Sequence, residues 1–234
     1  MFKKIKLKSL FFGALFSFLI PLIAFLIYRH QVLKSNAKFP DFFGAKIDSQ
    51  LVNGKMQYDT IFHNTRNLEL INQLGDTISL NETFKDKILV IDFIFTSCAT
   101  ICPTLTSNMN LLNRAYKKND TSVRFISITV DTEHDFVPQL RMYADKQNAN
   151  HDKWFFCTGN KKDIYEFARK ELMLTLPDGN GDEDDFIHPD QFVLLDQNRN
   201  VRGYYDGLDS NKVRLCAEDI AFLILENNTK KIKK

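Results

Sequence analysis

The chain has 234 residues, with 31 Lys and Arg, 29 Asp and Glu, and four Cys. Hydrophobic residues at 44% and charged residues at 26% exclude a disordered chain and a polytopic membrane protein, and four Cys are too few for a disulfide scaffold. The net charge of +2 hides an asymmetry: residues 1–30 hold five basic residues and no acids, residues 230–234 hold four Lys, and the body between carries 22 basic against 29 acidic residues, a net of −7. An acidic body excludes a nucleic-acid binder, which needs a basic face for phosphates.

Residues 1–9 form a basic N-terminus, and residues 10–28 read LFFGALFSFLIPLIAFLIY. Those 19 uncharged residues would span about 28 Å as a helix, close to the hydrocarbon core of a bilayer. The sequence therefore predicts a single transmembrane signal-anchor. The run exceeds the roughly 7–15 apolar residues of a cleaved signal peptide. Four Lys precede it, so the positive-inside bias puts the N-terminus in the cytoplasm and the rest of the chain outside, on the periplasmic side of a cell inner membrane. Disulfides persist in that compartment, and exposed thiols there need a reason to exist.

Residues 29–58 read as linker and lead-in, and residues 59–227 as the folded domain. Alternation at 68–73 and 77–80 around LGD predicts a hairpin. The continuous apolar runs 87–95 and 123–130 predict strands buried on both faces. Helices are predicted from Pro103 to residue 117, over 136–147 with Pro138 in the first turn, and over 160–172 with Asn160 as N-cap. Strands follow at 153–158, 191–196 and 201–205. A last helix, capped by Ser210, runs to about Asn227, and residues 228–234 form a Lys-rich solvated tail. The order is α/β, with a central mixed sheet flanked by helices.

The strand ending at Phe95 runs into TSCATICPT. Cys98 and Cys102 sit four residues apart where a helix begins, which puts both side chains on one face. That spacing fits a reducible disulfide or a soft metal ion held by two thiolates. A helix N-terminus favours the thiolate form, and the end of a buried strand is the usual ligand crevice of open α/β sheets. Pro103 pre-sets the helix entry. Cys157 and Cys216 read as core residues, with a mutual disulfide as the alternative.

These residues resemble a known family. The run DFIFTSCATICPTLTSNM (92–109) is similar to the Sco/SenC family of membrane-anchored copper proteins with a thioredoxin-like fold. ITVDTEHD (128–135), WFFCTG (154–159) and FIHPDQFVLLDQNRNVRGYYDG (186–207) match its later segments. The resemblance implies one copper ion, Cu(I) or Cu(II), bound by Cys98, Cys102 and His188, with Asp131 and Asp135 shaping the site. It implies a copper chaperone whose client is the copper centre of cytochrome c oxidase subunit II or another copper-receiving envelope protein. The alternative is a membrane-anchored thiol–disulfide reductase in which Cys98 and Cys102 act on the client's paired cysteines. His30, His63, His134 and His151 read as ordinary surface or loop residues.

The chain departs from the family pattern at three places. Ala99 stands where Pro is frequent, and Asp86 where Gly is frequent before the central strand. Pro189 follows His188, where a cis-proline would hold that histidine more firmly. The acidic loop 177–185 imitates the start of an EF-hand but lacks Gly at position 6 and Glu at position 12, so it reads as solvated loop.

Overall fold

The computed structural model describes Ser17 and residues 19–27, 43–44, 46–52, 55–116, 120–174 and 190–232. The chain divides into two units, Met1–Lys38 and Phe39–Lys234. In the first, residues 19–27 are helical, with exposed Leu19, Ile20, Leu22, Ile23, Phe25, Leu26 and Ile27. The remainder of the expected span 10–28, apart from Ser17, lies outside the described residues. Among the described residues no helix is long and apolar enough to cross a membrane.

The second unit opens with two strands that the sequence reading assigned to linker. Strands β1 (Lys46–Val52) and β2 (Lys55–Ile61) pair antiparallel, with Val52 opposite Lys55. That register leaves two residues for the connection, and they are Asn53 and Gly54, the dipeptide best suited to a tight hairpin. The expected linker 29–58 is corrected to that extent.

Seven further strands form one sheet. They are β3 (Glu69–Asn72), β4 (Thr77–Ser79), β5 (Ile88–Ile94), β6 (Val123–Thr129), β7 (Trp154–Thr158), β8 (Gln191–Leu195) and β9 (Val201–Asp206), in the order β4-β3-β7-β6-β5-β8-β9. β5, β6 and β7 are parallel, and the flanking pairs are antiparallel. The mixed sheet matches the expectation. Every residue of β5 is buried, as expected of a run that is apolar but for Asp92. Asp86, just ahead of it, has φ of 60°, a left-handed turn that glycine adopts without strain and aspartate tolerates.

Alternate residues of β5 enter two cores. Ile88, Val90 and Ile94 join α1 (Cys102–Ala115), α2 (Val137–Lys146) and α4 (Ser210–Ile232) through Leu105, Met109, Leu140, Ala144 and Ile220. Leu89, Ile91 and Phe93 face the opposite side with Ile164 of α3 (Lys161–Glu166) and Phe167 and Ala168 of the π-turn Phe167–Glu171. Asn160 caps α3 by accepting the Asp163 N–H at 3.2 Å. The 160–172 helix is thus α-helical only in its first half.

Helix α4 differs from expectation at both ends. Ser210 is its first residue; Asp209 is the cap, its carbonyl accepting the Val213 N–H at 2.9 Å and its carboxylate the Asn211 N–H at 2.8 Å. The helix continues to Ile232 rather than stopping at Asn227. Cys157 and Cys216 are fully buried and unbridged, and they lie in the two different cores. The sheet between them removes the disulfide alternative.

Candidate functional site

β5 ends at Ile94, and eight residues later α1 starts at Cys102. Pro103 is the second residue of that helix, where its missing N–H leaves no partner unpaired. The intervening loop folds back on itself, with the Cys98 N–H donating to the Phe95 carbonyl at 3.3 Å. Cys98 is half-buried, whereas Cys102 is fully buried.

The two thiols are chemically unequal. The Cys102 N–H points at the Cys98 Sγ from 3.4 Å, and the Thr100 hydroxyl lies 3.6 Å from it. Burial pushes the Cys98 thiol up, but hydrogen bonds from Cys102 and Thr100 outweigh burial and bring it down to about 7. Burial pushes the Cys102 thiol far above its ordinary range, and its neighbour Cys98 adds to that; a hydrogen bond with the Phe95 backbone only partly offsets them. The helix N-terminus therefore serves Cys98, through the Cys102 amide, rather than both thiols equally.

This asymmetry predicts selective alkylation. Iodoacetamide attacks thiolates, so the rate at Cys98 should rise roughly ten-fold between pH 6 and 8 with a midpoint near 7, while Cys102 stays unmodified in the folded, reduced protein. Peptide mapping reads both sites. A midpoint near the ordinary thiol value of about 8.5 would contradict the hydrogen-bonded Cys98.

A buried carboxylate fixes the start of the loop. Asp135, 1% exposed, accepts hydrogen bonds from the Thr96 N–H at 2.9 Å and from the hydroxyls of Thr96 and Thr129. It thereby ties Thr96, two residues past the end of β5, to Thr129, the last residue of β6. Asp131 is also buried; its N–H donates to the Thr129 hydroxyl, its carbonyl accepts the Asp135 N–H at 2.9 Å, and its carboxylate meets His134 Nδ1 at 2.8 Å. Two residues that the sequence reading passed over, Thr96 and Thr129, complete this brace.

His188 and Pro189 lie outside the described residues, as does the acidic loop 177–185. The first described residue after them is Asp190, whose carbonyl accepts the Gly207 N–H at 2.7 Å, while Asn108 of α1 donates to the Gly207 carbonyl at 2.6 Å. β8 runs antiparallel to β5, so its leading end lies at the sheet edge where β5 ends. Among the described residues no group of three or more His, Cys, Asp and Glu is placed to hold a metal ion. The described donors are thus the two cysteines. The other described histidines pair with carboxylates: His63 with Glu171 at 3.1 Å, His134 with Asp131, and His151 with Asp145 at 3.0 Å.

One further residue beneath the loop went unremarked in the sequence. Asp92 is the only charged residue inside β5, fully buried in the layer that faces α1. A lone acid in an otherwise apolar strand was the available signal.

A family model for SCO1/SenC matches residues 58–224. The chain belongs to that family. A SCO1 protein homolog of Bacillus subtilis is 37% identical over 140 residues, which is 59% of this chain and 72% of the relative. A SCO1/SenC family lipoprotein of Bacillus anthracis superposes with a TM-score of 0.61 at 28% identity, over 69% of this chain and 95% of that one. BsSco, described as a member of the Sco family of cytochrome c oxidase assembly proteins with a disulfide switch, gives a TM-score of 0.59 at 33% identity, over 69% and 93%. ScoI of Arabidopsis thaliana, solved with copper bound, shares the fold at 20% identity, with a TM-score of 0.53 over 69% and 98%.

Proposed function

We propose that this Sco protein is a membrane-anchored metallochaperone that carries one copper ion on Cys98, Cys102 and His188 and delivers it to the copper centre of cytochrome c oxidase subunit II. The observation that carries the reading is the cysteine pair itself, at a strand–helix junction, with one accessible acidic thiol over one buried thiol. Two thiolates suit Cu(I), and an imidazole completes a trigonal set or helps hold Cu(II). The antiparallel run of β8 supports the third ligand, because His188 stands three residues ahead of Gln191 in the sequence and that strand starts at the end of the sheet where the cysteine loop leaves β5. Asp131 and Asp135 act on the cargo site at one remove, by holding the loop. The apolar segment 10–28 supports an anchor with the folded unit on the periplasmic side, which raises the effective concentration of the carrier near a membrane-bound client.

The test is an anaerobic titration of the reduced full chain in detergent with Cu(I), against a competing chelator. One equivalent should bind, and His188→Ala should weaken it by about 100-fold or more, beyond what loss of an outer-shell partner does, while leaving the alkylation rate of Cys98 unchanged. Undiminished affinity in that variant would remove His188 from the ligand set.

A second reading draws on the inequality of the thiols. An accessible thiolate and a buried partner are what a dithiol needs to reduce a disulfide, the first attacking and the second resolving. In that role the pair reduces the client's paired cysteines before they receive copper.

A further inference from the structure

The β1–β2 hairpin is a two-stranded sheet of its own, and among the described residues no other strand pairs with it. The family match begins at residue 58, so β1, the turn and the start of β2 lie outside it. Taken singly, neither strand alternates cleanly, because Ser49 and Thr60 interrupt the apolar positions and Val52 and Ile61 stand among the charged ones. The register sorts them. Ile47 pairs with Thr60, Ser49 with Tyr58 and Leu51 with Met56; alternate residues of a strand share a face, so these six form one uncharged face. Lys46, Asp48, Lys55 and Asp59 all fall on the other face, with Gln50 and Gln57 between them.

An isolated two-stranded hairpin is at best marginally stable in water. Here Asp48 also stands directly opposite Asp59 on the charged face, where like charges repel. The uncharged face therefore needs a cover. With seven residues in each strand, that face measures only about 24 Å by 10 Å. Its area of about 240 Å² falls well short of the roughly 800 Å² per partner that a stable protein complex buries, which argues against a second copy of this chain. A surface to which the chain is already tied needs no such area. Residues 29–45 separate the apolar segment 10–28 from β1, a chain length of at most about 60 Å. Charge points to the same surface. Residues 29–61 hold five basic and three acidic residues, whereas residues 62–229 hold 18 basic and 26 acidic ones. An anionic bilayer attracts the first stretch and repels the second.

We propose that the β1–β2 hairpin is a lipid-binding element, whose face carrying Ile47, Leu51, Met56 and Tyr58 lies on an anionic bilayer. The inference rests on the reading of residues 10–28 as an anchor and is independent of the cargo. Apolar residues of an interfacial element sink about 5–10 Å into the headgroup boundary. A tyrosine suits that depth, because its ring is apolar and its hydroxyl stays wet. Lys46 and Lys55, one at each end of the charged face, suit anionic headgroups at the rim. Asp48 and Asp59 stay on the water side, where salt screens their repulsion. A seated hairpin shortens the free tether and holds the folded domain close to the membrane.

The test uses the full chain carrying Cys98→Ser, which removes the accessible thiol and leaves three buried cysteines. One cysteine is then introduced, as Ser49→Cys on the uncharged face or Gln50→Cys on the charged face, and labelled with a nitrobenzoxadiazole dye. Each labelled chain is reconstituted into vesicles of phosphatidylcholine and phosphatidylglycerol and recovered by flotation. The dye at position 49 should be quenched by nitroxide-labelled lipid and protected from iodide supplied on both sides of the bilayer. The dye at position 50 should show the reverse. Adding Leu51→Asp should abolish the protection at position 49 and leave the thermal unfolding midpoint of the domain unchanged; a fall in that midpoint would place Leu51 in the protein's own packing and overturn the proposal. Equal behaviour of the two positions overturns it too. So does a dye at position 49 that is protected from iodide yet not quenched by lipid, since protein then covers that face. A chain that fails to float overturns the anchor reading instead, and the inference with it.

Discussion

Replacing Asp135 with asparagine should lower the unfolding free energy by about 3 kcal/mol, read from urea denaturation. The carboxylate accepts three hydrogen bonds while almost fully buried. Hydrogen bonds to charged groups contribute roughly 1.5–3 kcal/mol each, and an amide keeps only one carbonyl oxygen to accept them. The backbone N–H of Thr96 and one hydroxyl would then compete for that oxygen. Because Thr96 is two residues ahead of Cys98, the loss also reaches the site. The amide of Cys102 would no longer be held against the Cys98 sulfur, and the Cys98 midpoint should drift from about 7 toward its ordinary value. A variant that loses less than about 1 kcal/mol and keeps its thiol midpoint would show that Asp135 does not brace the loop.

Serine at either cysteine should cost more than about a hundred-fold in Cu(I) affinity, beyond what loss of an outer-shell partner does. A hydroxyl is a hard and far less acidic ligand than a thiolate, so a soft cation gains nothing from it. The two variants part company in their remaining chemistry. Cys98→Ser removes the accessible nucleophile and should abolish fast alkylation, whereas Cys102→Ser keeps it. The Cys102 backbone N–H survives in the second variant, so the Cys98 midpoint should stay well below that of an ordinary thiol. Tight Cu(I) binding in Cys98→Ser, measured by chelator competition, would contradict the ligand assignment.

The sheet was legible because its strands carry strong signals. The run of β5, apolar but for Asp92, reads as a doubly covered strand, and it is buried at every residue. The β1–β2 pair was missed because its strands are polar, with charges at Lys46, Asp48, Lys55 and Asp59, so apolar alternation gave no contrast; the Asn–Gly dipeptide in the sequence alone marked it. Helix α4 ran past its expected end because Asn and Lys after Asn227 look like a tail, although lysine is a sound helix former and suits a helix C-terminus. The cysteine pair was legible from its spacing. The difference in acidity between Cys98 and Cys102 was not, since it depends on which sulfur the first helical amide faces. Asp135 was singled out, but its partners Thr96 and Thr129 lie 39 and 6 residues away, and only the parallel register of β5 and β6 brings them together.

The burial of β5 also sets a steep gradient in time. Its amides sit in the middle of a seven-stranded sheet, with no residue more than about 1% exposed, so they open to solvent only when the whole domain does. Four residues after the strand ends comes the accessible Cys98. In the proposed carrier, exchange at Cys98 need not wait for the strand beneath it to open, so many exchanges would fit within a single unfolding lifetime.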